Sequence, residues 1–201
     1  KEYIMGFDIY GLSPQLKSKQ PTIDWENATK EDQDNYFQKR HKWEDENPGS
    51  YFRNNVWWWR PLADLILDKC SDLISHEQAN DIHMNSGRKF SKGTSIAIAN
   101  RLQSLIDSGF IDEHQKEIDA RIKIAKTHNA KIEKKLDDLK EKVMKLRPNE
   151  NLAPVNYPYP YNKHWEEIQQ QKDWGSSYPF SKENVIEFIT FSRASGGFEI
   201  C

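Results

Sequence analysis

Apolar residues along this chain fall into short blocks separated by long polar stretches, and the spacing within each block predicts a different element. Ile4 to Tyr10, bounded by Gly11 and Pro14, holds β-formers and predicts a short strand. Residues 12–50 are polar and turn-rich, with a helix-capable patch from Thr29 to Asp45, opened by Thr29 and closed before Pro48-Gly49. At Tyr51 the character changes: YFRNNVWWWRPLADLILDKCSDLI reads as an aromatic loop running into a helix, with Pro61 placed in its first turn. Leu62, Leu65, Ile66, Cys70, Leu73 and Ile74 then recur at helical spacing. A second helix is expected from Thr94 to Asp107, with Ile98, Leu102, Leu105 and Ile106 inward and Gly109 as its stop.

From Ile111 the period becomes heptad. Ile118, Ile122, Ala125, Asn129, Ile132, Leu136, Leu139, Val143 and Leu146 alternate steps of four and three, the seam of a coiled coil in which Asn129 is the lone polar member; such a helix either projects as a hairpin or dimer arm or packs on its own domain, and the arm is the expected arrangement. Arg147-Pro148 ends it. The tail from Asn149 to Phe180 reads as loop, with NYPYPYN as an extended segment, before Ser181 caps a last helix stopped by Gly196-Gly197. The expected fold is mainly α with a small β element: a helical core over 1–110, a long heptad helix over 111–147 forming a coiled-coil arm, and, over 148–201, an extended Tyr/Pro loop and a helix packing back on the core.

Composition sharpens this picture. The 201 residues are only 36% hydrophobic and 30% charged, yet they include seven Trp, eight Tyr and nine Phe. That aromatic content argues against wholesale disorder. No apolar run approaches the roughly 20 residues of a membrane span. Net charge is −2, so no global field draws the chain to nucleic acid or anionic lipid, and any anion site must be local. Two cysteines, Cys70 and Cys201, fit a reducing compartment better than a disulfide framework. The opening KEYIMGFDIYG lacks a signal-peptide core, which predicts a cytoplasmic protein.

Catalytic signatures are absent: there is no Walker loop, G-x-G-x-x-G, G-x-S-x-G or Cys-x-x-Cys, and the histidines at 41, 76, 83, 114, 128 and 164 form no His-x-His or His-x-x-x-His pair. No catalytic residue, metal or cofactor is therefore expected. The local anomaly is Tyr51 to Arg60. Three consecutive tryptophans cannot all face one core, so at least one is expected at the surface. Arg53 and Arg60 flank the triplet with guanidiniums suited to phosphate, and Asn54 and Asn55 add amides. No acid lies between Glu46 and Asp64, and none between Asp81 and Asp107, where Arg88, Lys89, Lys92 and Arg101 lie. That second window opens with a Gly-punctuated loop containing Asn85 and Ser86 and leads into a helix start, a natural phosphate cradle. By contrast Asp24 to Glu46 carries eight acids against four Lys or Arg. The expected ligand-binding set is Arg53, Asn54, Asn55, Trp57, Trp58, Trp59, Arg60, Asn85, Ser86, Arg88, Lys89 and Lys92, with Trp rings stacking on a base and cations holding phosphate.

At these residues the chain resembles a known group. MGFDIYG, GSYFRNNVWWWRPLADLI and NSGRKFSKGTSIAIANRL, within residues 5–11 and 49–103, look like blocks of a family of small bacteriophage and prophage proteins. In size and lack of catalytic motifs the chain is similar to anti-defence sponges, the Lockin-like and Sequestin-like proteins among them. The resemblance implies a phage-encoded protein in an infected bacterial cell that sequesters a cyclic nucleotide or cyclic ADP-ribose type immune signal uncleaved. The expected partners are that small anionic ligand and further copies of the chain through the coiled coil, with no membrane and no long nucleic acid. A protein–protein inhibitor or adaptor using the same Trp/Arg patch, and a signal-degrading hydrolase, are the alternatives.

Overall fold

In the computed structural model, residues 6–148 and 150–201 are described, so Ile4 and Met5 of the first expected strand and Asn149 of the tail lie outside the described residues. The chain forms two compact units, Lys1–Gln115 with Phe180–Cys201, and Lys116–Pro179.

The first unit is built on a four-stranded antiparallel sheet, β1 (Gly6–Gly11), β2 (Tyr51–Asn55), β3 (Arg88–Ser91) and β4 (Gly197–Ile200), in the order β2-β1-β4-β3. Only the first strand is legible in the sequence. Tyr51–Asn55, expected as an aromatic loop, is an edge strand paired with β1, Phe52 lying opposite Ile9. Arg88–Ser91, expected inside a polar loop, is the other edge. Each strand of four or five residues is too short to display alternation. Each still turns one or two residues inward, Phe52 with Asn54, Phe90, and Phe198 with Ile200.

Helices α2 (Val56–Cys70), α4 (Lys92–Asp107) and α7 (Lys182–Ala194) supply the other half of the core: Trp59, Leu62 and Ile66 from α2, Ile98 and Leu102 from α4, Phe188 and Phe191 from α7. Rings dominate the contact. Phe7 stacks on Trp59 with centroids 5.6 Å apart, Phe90 on Phe198 at 4.5 Å, and Phe52 meets Phe188 edge-on at 5.4 Å. A polar chain can build a core from few residues because each aromatic buries roughly 150–250 Å². Pro61 sits six residues into α2 instead of in its first turn. It cannot donate to the carbonyl of Trp57, four residues earlier.

Helix α1 (Lys30–Glu46) starts as its sequence predicts, with Thr29 and Asp32 forming a reciprocal capping box. Its turn into β2 passes Gly49, where a Cβ would stand 2.2 Å from the carbonyl oxygen of Ala194. Only glycine permits that approach of the α7 end. Helix α3 (His76–Asp81) is a short capped turn before β3.

Helix α5 (Phe110–Leu146) begins in the first unit and continues into the second. Its heptad positions Ala125, Ile132, Leu136, Leu139 and Val143 are 1–7% exposed within the single chain, whereas Leu146 is exposed. The seam expected to meet a second helix is covered instead by the returning segment of its own unit. Asn129 fits that arrangement: its Nδ2 donates to the Asp173 carbonyl at 2.9 Å and to Ser176 Oγ at 3.2 Å, and its Oδ1 accepts from the Asp173 amide at 2.8 Å. The polar seam residue is thus a backbone anchor. The segment also carries helix α6 (Tyr161–Gln169), with Trp165 edge-on to buried Tyr157, in a stretch expected to be wholly loop. Among the described residues, no helix is long and apolar enough to cross a membrane.

Candidate functional site

The tryptophan triplet is resolved by the start of α2. Asn55 is the N-cap, its side-chain oxygen accepting from the Trp57 amide at 3.0 Å and the Trp58 amide at 3.1 Å. Successive helical side chains diverge by about 100°, so the three rings separate. Trp59 is fully buried and its Nε1 donates to the Ile82 carbonyl at 2.8 Å. It is a core residue and not a stacking platform. Trp57 and Trp58 remain 41% and 36% exposed. Arg60 is exposed three residues from Trp57, on the same helical face.

Asn54 is likewise structural: it is buried and donates to Asn184 Oδ1 of α7 at 2.8 Å, while Asn184 Nδ2 donates to the Trp58 carbonyl at 3.3 Å. One α7 side chain therefore ties down both sides of the strand–helix junction.

The acid-free windows are not acid-free in space. Arg88 donates from Nε to Asp81 Oδ2 at 2.7 Å and pairs with Glu77 at 3.4 Å. Lys89 faces Glu199 across the β3–β4 ladder at 3.7 Å, and Arg101 clasps Asp72 at 2.9 Å. Arg53 lies 3.7 Å from Asp8, its partner in the β1–β2 register. One amide at the α4 start is also engaged, since Ser91 Oγ accepts from the Thr94 amide at 3.1 Å. The expected phosphate cradle is therefore a capped helix flanked by ion pairs. Ser86 and Lys92 are exposed and make no side-chain hydrogen bond among the described residues.

What the fold gathers is a smaller set around Gly6. Gly6 pairs with Asn55, Asn85 Nδ2 donates to the Gly6 carbonyl at 3.0 Å, and a Cβ on Gly6 would lie 3.5 Å from Arg53 Nε. Arg53, Asn55 and Asn85 thus meet at one end of the sheet, with Trp57 and Trp58 in the turn that follows. Lys89 belongs to the opposite edge strand, three interstrand steps or about 14 Å away.

The sequence did not reveal the row beside Arg53 on the sheet face away from the three helices. There Tyr51 donates its hydroxyl to Asp8, and Tyr10 leans on Tyr51 with centroids 5.1 Å apart. Burial, reinforced by the Asp8 carboxylate, raises the Tyr51 and Tyr10 hydroxyls above their ordinary range. Both stay protonated near neutrality, so Tyr51 acts as a donor. The alternation of Phe7 to Tyr10 was a signal for this face, but its partner strand was unreadable.

Among the described residues no cluster of three or more His, Cys, Asp or Glu could hold a metal ion. The chain matches no protein-family model, no curated protein and no solved structure.

Proposed function

We propose that this chain is a phage-encoded binding protein that holds a ring-bearing anion of cyclic nucleotide or cyclic ADP-ribose type, uncleaved, in the cytoplasm of an infected bacterium. The observation that carries the reading is the pair of exposed indoles, Trp57 and Trp58, presented on a helix start that Asn55 caps and buried Trp59 anchors. A preordered ring loses little freedom on stacking. Arg60 stands on the same face, and Arg53 is two-thirds exposed and loosely paired with Asp8. Such a surface pair is worth about 0–1 kcal/mol, so a phosphate can take the place of Asp8. Asn85 supplies an amide at the same end. Trp59, Asn54 and Arg88 have structural roles and are not part of the ligand site, and association through the heptad seam is not part of the reading, because that seam is buried within the chain.

The test is to incubate the protein with cyclic dinucleotides, cyclic trinucleotides and cyclic ADP-ribose, remove free ligand, heat, and identify what is released by mass spectrometry. Intact ligand is the expected result; cleaved ligand makes the protein a hydrolase, and no ligand ends the proposal. Trp57→Ala and Trp58→Ala should each weaken binding by about 1–3 kcal/mol, roughly 5- to 150-fold.

A second reading, a surface for a partner protein, is favoured by the ion pairs that already occupy Arg53, Arg88 and Lys89. Trp and Arg are the residue types that dominate protein hot spots. A stoichiometric partner in a pulldown, lost on Trp57→Ala or Trp58→Ala with no small molecule released, is the result that selects it.

A further inference from the structure

The second unit carries a charged surface that the Trp57–Trp58 site does not use. From Ala120 to Ile132, helix α5 bears Arg121, Lys123, Lys126 and Lys131 and no Asp or Glu. All four are exposed, and none makes an ion pair among the described residues. The next acid, Glu133, is taken by Lys172, with Nζ and Oε1 2.5 Å apart.

Helical geometry aligns three of these cations with Lys134, while Arg121, four residues before buried Ala125, falls on the seam side. At 100° per residue, Lys123, Thr127, Lys131 and Lys134 fall on the side of α5 opposite buried Ala125, Ile132 and Leu136, with Lys126 on the flank. Thr127 and Ala130 are the small residues between them. Shallow hollows lie over this floor, one lined by Lys123, Ile124, Thr127, His128 and Lys131, the other by Lys123, Lys126, Thr127 and Ala130 with Ile122 and Asp119 at its end. Lys123 to Lys134 spans about 17 Å of helix at 1.5 Å per residue.

We propose that this ridge docks the phosphate backbone of a nucleic acid. Charge complementarity selects the occupant. From Lys123 to Lys131 the face offers cations alone, with Asp119 at its N-terminal end and Glu133 paired to Lys172, Ile124 as its one large exposed apolar side chain and no Trp, Tyr or Met beside them. Protein interfaces are depleted in Lys and need aromatic or Arg anchors, whereas a duplex presents a negative charge every 1.7 Å or so of its axis and asks only for cations at close approach. The near-zero net charge of the whole chain does not oppose this, because fields beyond about 10 Å are screened at 0.1 M salt.

The experiment is fluorescence anisotropy of a labelled 24-base-pair DNA duplex with the full chain at 50 and 200 mM NaCl. Four phosphate contacts predict a slope of log K against log salt near −3.6, so the fourfold rise in salt should weaken binding roughly 150-fold. The variant K123Q/K126Q/K131Q/K134Q should lose binding at 50 mM salt while keeping its circular dichroism spectrum and melting temperature. K17Q/K19Q/K39Q/K42Q, which removes the same charge from the first unit, should bind within about threefold of the parent chain. The proposal is overturned by absence of binding at 50 mM salt, by equal loss in the two variants, or by polyglutamate competing as well as unlabelled duplex, which would make the partner an acidic protein surface. The readout does not depend on Trp57 or Trp58.

Discussion

Replacing each tryptophan of the triplet by phenylalanine separates core from surface in three adjacent positions. Trp59 has no exposed area, and its Nε1 is the donor to the carbonyl of buried Ile82. Trp59→Phe strands that carbonyl, a cost of about 1–3 kcal/mol. It also removes roughly 40 Å³ of ring from between Phe7 and Phe188, and at about 24 cal/mol per Å³ the void adds around 1 kcal/mol. The total is about 2–4 kcal/mol, or a fall of roughly 5–15 °C in melting temperature for a chain of this size. Trp57→Phe and Trp58→Phe act at exposed positions and should stay within about 0.5 kcal/mol. Far-UV circular dichroism melts of the three variants, at matched concentration, read the difference directly. If Trp59→Phe melts with the parent chain, or if either neighbour costs as much as Trp59, the assignment of one buried and two presented indoles is wrong.

Other consequences follow from named contacts. Asn129→Ala deletes three hydrogen bonds to Asp173 and Ser176, so limited proteolysis should cut within residues 150–179 at least several-fold faster, while cleavage in the first unit is unchanged. Gly49→Ala forces a Cβ to within 2.2 Å of Ala194 and should destabilise by more than about 3 kcal/mol. Gly109→Ala, at φ +80 with open space around it, should cost only about 1–2 kcal/mol of backbone strain; equal losses would contradict the close approach. Burial pushes the Cys70 thiol up to about 11 from an ordinary 9.0. Above pH 9 the unfolded thiol ionises first, so the stability that Cys70 lends as a neutral group is present below that pH and is lost as pH rises toward 11. The urea midpoints of the parent and Cys70→Ala should therefore converge between pH 8 and 10.5, and a constant gap would show that the thiol is not held neutral.

Local chemistry made several elements legible. The Thr29 and Ser181 caps, the helices they open and the heptad stripe of α5 are all set by residues within a few positions of one another, and the structure has them where those residues stand, while α4 opens at Lys92, two residues before the expected Thr94. The same locality explains the exposed indoles, because three consecutive side chains on any regular backbone must diverge.

What the sequence by itself determined is therefore the five longer helices, the Thr29 and Ser181 caps and the certainty that part of the Trp triplet faces solvent, whereas the short helices α3 and α6 and the Asn55 cap of α2 were not legible in it. Tertiary structure alone decided which tryptophan is buried, because that depends on Ile82, Phe7 and Phe188 arriving from distant segments. It alone decided that Arg53, Arg88 and Lys89 of the acid-free windows have partners, since Asp8, Asp81 and Glu199 reach them across strand pairings and turns that linear spacing does not encode. It also decided what covers the heptad seam. A seam states that an apolar stripe must be buried, and the hydrophobic effect is indifferent to whether a second chain or the chain's own returning segment does so; here the three hydrogen bonds of Asn129 hold that segment in place.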